Sequence, residues 1–143
     1  MDELYVVARR VLLDALEALG AHRDAVVLVG AQAIYLRVGE DDLLLTALSS
    51  DDARAFELRV AGPAALLVAK LHKIQERTGT RRESDKDALD VLRLLRGTST
   101  EELAGRYTRL RADSRSANVA EEAVNMLRRL FAERRGIGVA MTL

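Results

Sequence analysis

The chain has 143 residues, of which 49% are hydrophobic and 31% are charged, a composition typical of a globular domain rather than a disordered one. The 22 basic and 22 acidic residues balance, so the net charge gives no sign of nucleic acid or an anionic membrane as partner. The absence of cysteine excludes disulfides and thiolate metal sites. No apolar run approaches the ~18 residues of a membrane span, and the first residues do not resemble a signal peptide. We therefore expect a soluble cytoplasmic protein without membrane association.

The first half of the chain predicts one long helix and two strands. Apolar residues at helical spacing over 4–19 predict the helix, and Gly20 stands at its C-cap. The aliphatic run over 25–29 predicts a buried strand. After Gly30, a short helix is expected over 32–38, ending at Gly39. Residues 40–52 show no sustained period, and the alternation over 56–60 predicts a second strand.

The second half predicts a helical bundle. Pro63 stands where the first turn of a helix to Arg77 would begin. A second helix, capped by Ser84, is expected to end at Gly97. Ser99 and Glu102 form a capping box for a third helix to residue 110. The last helix is expected over 119–135, with one apolar face formed by Val119, Ala123, Leu127 and Leu130.

These elements predict an α-rich α/β fold of the α+β kind. A small sheet of two or three strands is expected to pack on a C-terminal bundle of about four helices. The α/β portion should span residues 1–60 and the bundle residues 61–143, as one compact unit. Two strands make a poor independent sheet, so we expect either a missing part or a second chain to complete it.

Three positions suggest a phosphate or nucleotide site. A glycine at 30 would let the backbone approach a phosphate, and the helix after Ala31 would present free N–H groups. An ordinary strand-to-helix turn explains the same residues. Lys70 and Asp87 lie at the margins of the apolar stripes of their helices, and Asp90 falls further toward solvent. Packing of those stripes would bring Lys70 and Asp87 to the rim of one groove.

At such a rim, the lysine could hold a triphosphate and the carboxylate could accept a proton from an attacking hydroxyl. Spacing alone favours structural explanations for both residues. Lys70 can extend along the edge of the core, and Asp87 can complete a capping box with Ser84. A basic run around the intervening loop suggests RNA binding or a solvated loop, and comprises His72, Lys73, Arg77, Arg81, Arg82 and Lys86. His22 and His72 lack metal-ligand spacing, so no metal site is predicted.

Two stretches resemble a known family. The runs over 26–36 and 56–96, the latter containing FELRVAGPAALLVAKLHKI and DKDALDVLRLLR, are similar to bacterial AbiEii-like nucleotidyltransferases. These toxin-type proteins belong to the polymerase-beta-type nucleotidyltransferase superfamily. The resemblance implies nucleotide transfer from an NTP to tRNA, another RNA or a protein, with Mg²⁺ as cofactor and an antitoxin as partner. It implies that Gly30 and Ala31 hold nucleotide phosphates, that Lys70 contacts the nucleotide, and that Asp87 completes the catalytic site.

The chain departs from this family in its middle. The family carries an Asp-x-Asp strand that binds two divalent cations, because alternate residues of a strand share one face. Here only the adjacent pairs Asp41-Asp42 and Asp51-Asp52 are available, in a shortened segment. We therefore expect a degenerate or inactive enzyme, whose remaining site requires Gly30, Lys70 and Asp87 to converge. The alternative is a non-catalytic helical binding or dimerisation module, and a homo-oligomer is expected in that case.

Overall fold

The structure is a computed structural model that describes residues 3–30, 32–34, 44–77 and 85–142. It divides into two compact units, Met1–Ala61 and Gly62–Leu143. Helices dominate the described residues, and the strands are short, which confirms the predicted α-rich α+β class. Within these residues no helix has both the length and the apolar character needed to span a membrane.

The N-terminal unit begins with a helix and continues with short strands. Its elements are α1 (Glu3–Leu19), a 3₁₀ helix (Gly20–Ala25), β1 (Val27–Leu28), β2 (Leu44–Thr46), β3 (Ala55–Glu57) and β4 (Arg59–Val60). The helix predicted over 4–19 is confirmed. Gly20 has a φ of +52°, in the left-handed region that favours glycine, and it ends α1 as its position predicted.

The described strands form two separate pairs instead of one small sheet. β1 and β4 are parallel, with Leu28 opposite Val60, while β2 and β3 are antiparallel, with Leu45 opposite Phe56. The strand predicted over 56–60 is therefore two strands that pair with different partners on either side of Leu58. Local alternation could not reveal this change, because it depends on which distant strand supplies the hydrogen bonds.

The predicted buried strand over 25–29 is shorter and less covered than expected. Only Val27 and Leu28 pair, and both Val27 and Val29 are exposed. Among the described strands β1 has a single neighbour, so its ladder protects little of its surface. Of the helix predicted over 32–38, the structure describes 32–34, which are helical, and the remainder with Gly39 lies outside the described residues.

An arginine ties the connection between β2 and β3 to α1. The Arg54 guanidinium donates to both oxygens of Asp52 and also to Asp14 at 2.7 Å and Glu17 at 3.1 Å. The hydrogen bonds from Arg54 to Asp52, first from the side chain and then from the backbone, lower the pKa of Asp52 from 3.8 to about 2.

We expect this contact to make the protein less stable as the pH falls from about 4 toward 2. Because the folded pKa of Asp52 lies below its ordinary value, its stabilising contribution is complete above pH 3.8 and is lost as the pH falls through about 2. Unfolding followed by circular dichroism across this range should show a smaller acid-induced loss for Asp52→Asn than for the unaltered protein. Equal losses in both would contradict the prediction.

In its described residues, the C-terminal unit is a bundle of four long helices and one short one. These are α2 (Pro63–Arg77), α3 (Asp85–Gly97), α4 (Thr100–Ala112), α5 (Ala117–Phe131) and α6 (Ile137–Ala140). Helix α2 is central and packs against α3, α4 and α5. Its buried apolar side chains include Leu66, Leu71 and Ile74, and α3 contributes Val91 and Leu94. The predicted bundle of about four helices is present.

The last long helix differs from its prediction in both range and face. It begins two residues earlier, at Ala117, and ends at Phe131, four residues before the predicted end. Its buried residues are Ala120, Ala123 and Met126, so the predicted face is rotated and Val119 is exposed. A Cβ on Gly136 would lie 2.6 Å from the carbonyl oxygen of Leu130, so this glycine permits the tight return that separates α5 from α6.

The predicted cap of α4 is present. The Ser99 side chain accepts a hydrogen bond from the backbone N–H of Glu102 at 3.2 Å. We expect Ser99→Ala to lower the free energy of unfolding by about 1 kcal/mol, because the replaced hydroxyl satisfies an otherwise unpaired N–H. Urea denaturation measures the difference. The adjacent Thr100→Ala variant loses a hydroxyl within the helix instead and should change stability by less than about 0.5 kcal/mol.

Candidate functional site: a buried lysine between two aspartates

Helices α2 and α3 bring together Lys70, Asp87 and Asp90. The Lys70 Nζ atom donates to Asp87 Oδ1 at 2.6 Å and to Asp90 Oδ2 at 2.7 Å. The three residues expose only 6%, 3% and 0% of their surface, so the charges are held away from water. Lys70 and Asp87, predicted to meet at the rim of a groove, are therefore in direct contact but lie inside the helical unit.

More exposed cations complete the cluster. Arg77 donates to Asp87 Oδ2 at 2.7 Å, and Arg93 donates to Asp90 Oδ1 at 3.1 Å. Lys73 Nζ lies 3.9 Å from Asp87 Oδ1. We call these side chains together with Lys70, Asp87 and Asp90 the charge cluster. It contains four cationic groups around two carboxylates, and the oxygens of both carboxylates are used by the cations.

The lysine at the centre remains a cation. Burial acts to lower the pKa of Lys70, but the hydrogen bonds and charges of Asp87 and Asp90 outweigh this effect and raise it above 10.5. The ammonium has three N–H donors, two of which are used by the carboxylates. A nucleotide phosphate would have to compete with two short charge-assisted bonds to reach Lys70.

The position of Asp90 corrects the sequence prediction. Asp90 was expected further toward solvent than Asp87, yet it is fully buried. The buried face of α3 contains both aspartates with Ala88, Val91 and Leu94, so it is rotated from the purely apolar stripe. Opposite charge on α2 makes this rotation favourable. The spacing of two aspartates three residues apart, which places both on one helical face, was the available signal. Ser84, the proposed cap of this helix, lies outside the described residues.

The charge cluster does not fit a divalent cation. Mg²⁺ requires several free oxygen ligands in near-octahedral geometry, whereas Lys70, Arg77 and Arg93 engage the oxygens of Asp87 and Asp90. Across the described part of the chain, no group of three or more histidine, aspartate or glutamate side chains could hold a metal ion. Asp52 is engaged by Arg54, and Asp41-Asp42 lies outside the described residues.

The basic run around the loop is only partly described. Nε2 of His72 donates to the carbonyl oxygen of Val119 at 2.9 Å, which ties α2 to α5. Arg77 belongs to the charge cluster. Arg81 and Arg82 lie outside the described residues. His72, Lys73 and Arg77 therefore make contacts to other helices of the bundle.

Gly30 lies in the N-terminal unit, directly after β1. Its φ of +85° belongs to the left-handed region, and its carbonyl oxygen accepts a hydrogen bond from Ile34 N at 3.1 Å. A Cβ at this position would meet no atom within 4 Å, so conformation rather than crowding favours glycine here. Ala31 lies outside the described residues. The convergence of Gly30 with Lys70 and Asp87 stays a prediction.

A buried arginine that sequence reasoning missed supports the segment after Gly30. Arg9 Nε donates to Gln32 Oε1 at 2.7 Å, and its two terminal nitrogens donate to the Thr46 carbonyl oxygen and the Tyr5 hydroxyl, each at 2.8 Å. Arg9 is buried, and no carboxylate among the described residues forms an ion pair with it. The sequence did not indicate that Arg9 lies next to the segment after Gly30, because an arginine on a helix is usually exposed to solvent.

The C-terminal unit also contains an apolar cleft of about 260 Å³. Residues from four helices line it, among them Leu67, Leu71, Leu103, Tyr107, Ala123 and Leu127. Tyr107 donates its hydroxyl proton to the carbonyl oxygen of Ala120 at 3.0 Å. None of the described residues that line the cleft is charged, so it favours an uncharged occupant.

Comparison of the chain with models of known protein families, with characterised proteins and with solved structures finds no match.

Proposed function

We propose that this protein is a degenerate nucleotidyltransferase that binds nucleoside triphosphates without transferring the nucleotide. The proposal combines the resemblance of residues 26–36 and 56–96 to AbiEii-like enzymes with the direct contact between Lys70 and Asp87. Lys70 and Asp87 stand on separate helices at the positions that the resemblance gives to the nucleotide-contacting lysine and the catalytic aspartate, and the 2.6 Å bond between them is the observation that carries the proposal. A cytoplasmic location and an antitoxin partner belong to the same proposal.

The absence of transfer follows from the chemistry of the cluster. A catalytic aspartate must accept a proton or hold Mg²⁺, but the oxygens of Asp87 are bonded to Lys70 and Arg77. Phosphate binding instead uses the outer cations. Lys73, Arg77 and Arg93 each expose a third or more of their side chain, and together they form the cationic surface of the charge cluster.

The test is a pair of assays on the full chain. Radiolabelled ATP, GTP, CTP and UTP with Mg²⁺ and bulk tRNA, or with the protein alone, measure transfer, while a fluorescent NTP measures binding. We expect binding without transfer. The double variant Lys73→Ala, Arg93→Ala should weaken binding at least about tenfold, since it removes two phosphate contacts. Arg109→Ala, Arg111→Ala removes two cations from α4 and is the matched control.

Two results would contradict the proposal. Label transfer that is lost in Asp87→Asn, while that variant keeps its folded circular dichroism spectrum, would show a working active site. NTP binding that is absent, or that is equally weakened by the control variant, would remove the nucleotide from the function altogether.

A second candidate function is a non-catalytic binding module for a small apolar molecule. The observation that favours it is the cleft of about 260 Å³. An engineered apolar cavity of about 150 Å³ already binds benzene. The uncharged lining and the single engaged tyrosine hydroxyl match an uncharged ligand such as an aromatic ring or a short acyl chain.

Filling the cleft tests this alternative. The uncharged fluorophore N-phenyl-1-naphthylamine should bind the protein. Ala104 is an exposed residue of the cleft lining, and Ala104→Leu should weaken that binding at least about fivefold by occupying the space. Ala112→Leu places the same side chain on an exposed part of α4 that does not line the cleft. Binding that is unchanged by Ala104→Leu would exclude the cleft as the site.

A further inference from the structure

Helix α1 carries two apolar faces, of which only one is buried. Leu13 and Leu16, with Arg9, form the face that packs inside the N-terminal unit. At 100° per residue, a second stripe runs along the opposite side. Its members are all exposed and comprise Leu4, Val7, Ala8, Val11, Ala15, Ala18 and Leu19. Leu4, Val7 and Val11 expose 77%, 54% and 61% of their surface. An exposed apolar stripe along a whole helix marks an interaction surface.

We propose that this stripe binds the same stripe of a second copy, as an antiparallel pair of α1 helices. The stripe has a heptad spacing, with Leu4, Val11 and Ala18 in one seam position and Ala8 and Ala15 in the other. Small residues every seventh position allow two helices to approach closely. The inference is independent of the nucleotide proposal, because it uses only residues of α1.

The order of large and small residues selects the antiparallel register. When Leu4 faces Ala15 of the partner subunit, Val11 faces Ala8 of the partner subunit, and two-fold symmetry repeats both pairs. Each layer then combines one large with one small side chain, which is how facing positions fill space without voids. A parallel pair would place Leu4 against Leu4 of the partner subunit and leave the alanine layers empty.

Charge also favours a second copy over a membrane surface. The flank of the stripe carries Glu3, Asp14 and Glu17 with Arg10, and Arg54 pairs with Asp14 and Glu17 there. The acidic groups still outnumber the two arginines, so an anionic membrane would repel this flank. In the antiparallel pair, Arg10 lies on the same side as Asp14 of the partner subunit. The two are offset by about 7 Å along the axis, within reach of an arginine side chain.

The exposed apolar area limits how much surface the association can bury. Leucine and valine side chains at these exposures offer on the order of 300 Å² of apolar surface per copy. A symmetric pair would bury on the order of 600 Å², well below the standard size of a stable interface. We therefore expect a weak dimer in exchange with the monomer.

Sedimentation velocity of the full chain from about 1 µM to about 1 mM tests the association. We expect concentration-dependent dimers that Val11→Asp weakens at least about tenfold, because the charge falls in the centre of the seam. Val119→Asp places the same charge on an exposed valine of α5 and should change the association less than about twofold. A monomer at every concentration, or equal weakening by both variants, would overturn the proposal.

Disulfide crosslinking tests the register. The chain contains no cysteine, so only the introduced cysteines can form a crosslink. The double variant Leu4→Cys, Ala15→Cys should form a disulfide-linked dimer on oxidation, since these residues face each other. Leu4→Cys alone should not, because its two copies would be about 16 Å apart along the axis. Efficient crosslinking of the single variant, or none in the double variant, would overturn the antiparallel arrangement.

Discussion

Replacing Lys70 by methionine is expected to lower the free energy of unfolding of the helical unit by about 3 to 5 kcal/mol. The substitution keeps the volume of the side chain but leaves Asp87 and Asp90 buried without the ammonium that pairs them. Two like charges in a low-dielectric interior repel each other, and each loses its shortest hydrogen bond. The partly exposed Arg77 and Arg93 keep only the outer oxygens satisfied.

Urea denaturation followed by circular dichroism measures this loss, and hydrogen exchange of the amides of α2 and α3 locates it. Lys73→Met is the matched control on the same helix, because Lys73 is half-exposed and lies 3.9 Å from Asp87. It should change stability by less than about 1 kcal/mol. The triple variant Lys70→Met, Asp87→Leu, Asp90→Leu should recover most of the stability, since it removes the buried charges together.

The same contact predicts a loss of stability in alkali. The folded pKa of Lys70 is raised above 10.5, although burial opposes the effect of the two aspartates. Its stabilising contribution is therefore complete below pH 10.5 and is lost as the pH rises through the folded value. Lys70→Met should lack this part of the alkaline transition. If Lys70→Met were as stable as the unaltered protein at neutral pH, the structural role of Lys70 would be contradicted.

The ends of the bundle helices could be predicted because their signals are local. Pro63 begins α2, Gly97 ends α3, and the Ser99 hydroxyl caps α4 as the sequence indicated. Each of these effects depends on the backbone of the residue itself or on an N–H three residues away. Packing partners are not needed to evaluate them, so the residue types alone are sufficient.

The faces of the helices and the pairing of the strands could not be predicted in the same way. Asp90 is buried because Lys70 lies opposite it, and a stripe of apolar residues alone contains no information about that partner. Likewise, the exposed stripe of α1 has the same period as a core face. Leu58 separates two strands whose partners lie far apart in sequence. In each case the decisive interaction is long-range, so local periodicity cannot identify it.

Of the candidate site, the contact between Lys70 and Asp87 could be predicted and its environment could not. Lys70 and Asp87 each stand at the margin of the apolar stripe of their helix. When the two stripes pack together, the residues at their margins come into contact. Whether such a pair faces a groove or the interior depends on the neighbouring cations. Arg77 and Arg93 close the cluster from outside, which favours the structural explanation of these residues over a free catalytic pair.

The second large effect is expected in the N-terminal unit, where Arg9→Met should lower the free energy of unfolding by about 2 to 4 kcal/mol. Arg9 joins α1 to the segment after Gly30 through Gln32 and to β2 through the Thr46 carbonyl oxygen. Its guanidinium also lies 5.5 Å from the centre of the Tyr5 ring. Methionine fills similar space but donates no hydrogen bond, so part-buried acceptors on three elements lose the donor that Arg9 provides.

The Arg9→Lys variant distinguishes the contribution of the positive charge from that of the guanidinium hydrogen bonds. Lysine keeps the charge but cannot donate in the three directions of a planar guanidinium, so it should lose at least half as much stability as methionine. Arg10→Met is the control, because Arg10 is exposed and lies 3.9 Å from the carboxylate of Asp51. Urea denaturation measures the stability of each variant, and hydrogen exchange of the backbone amides of β2 shows whether this strand is destabilised. An Arg9→Lys variant as stable as the unaltered protein would mean that the charge alone is required. The hydrogen bonds that join α1 to Gln32 and β2 would then not stabilise the segment that follows Gly30.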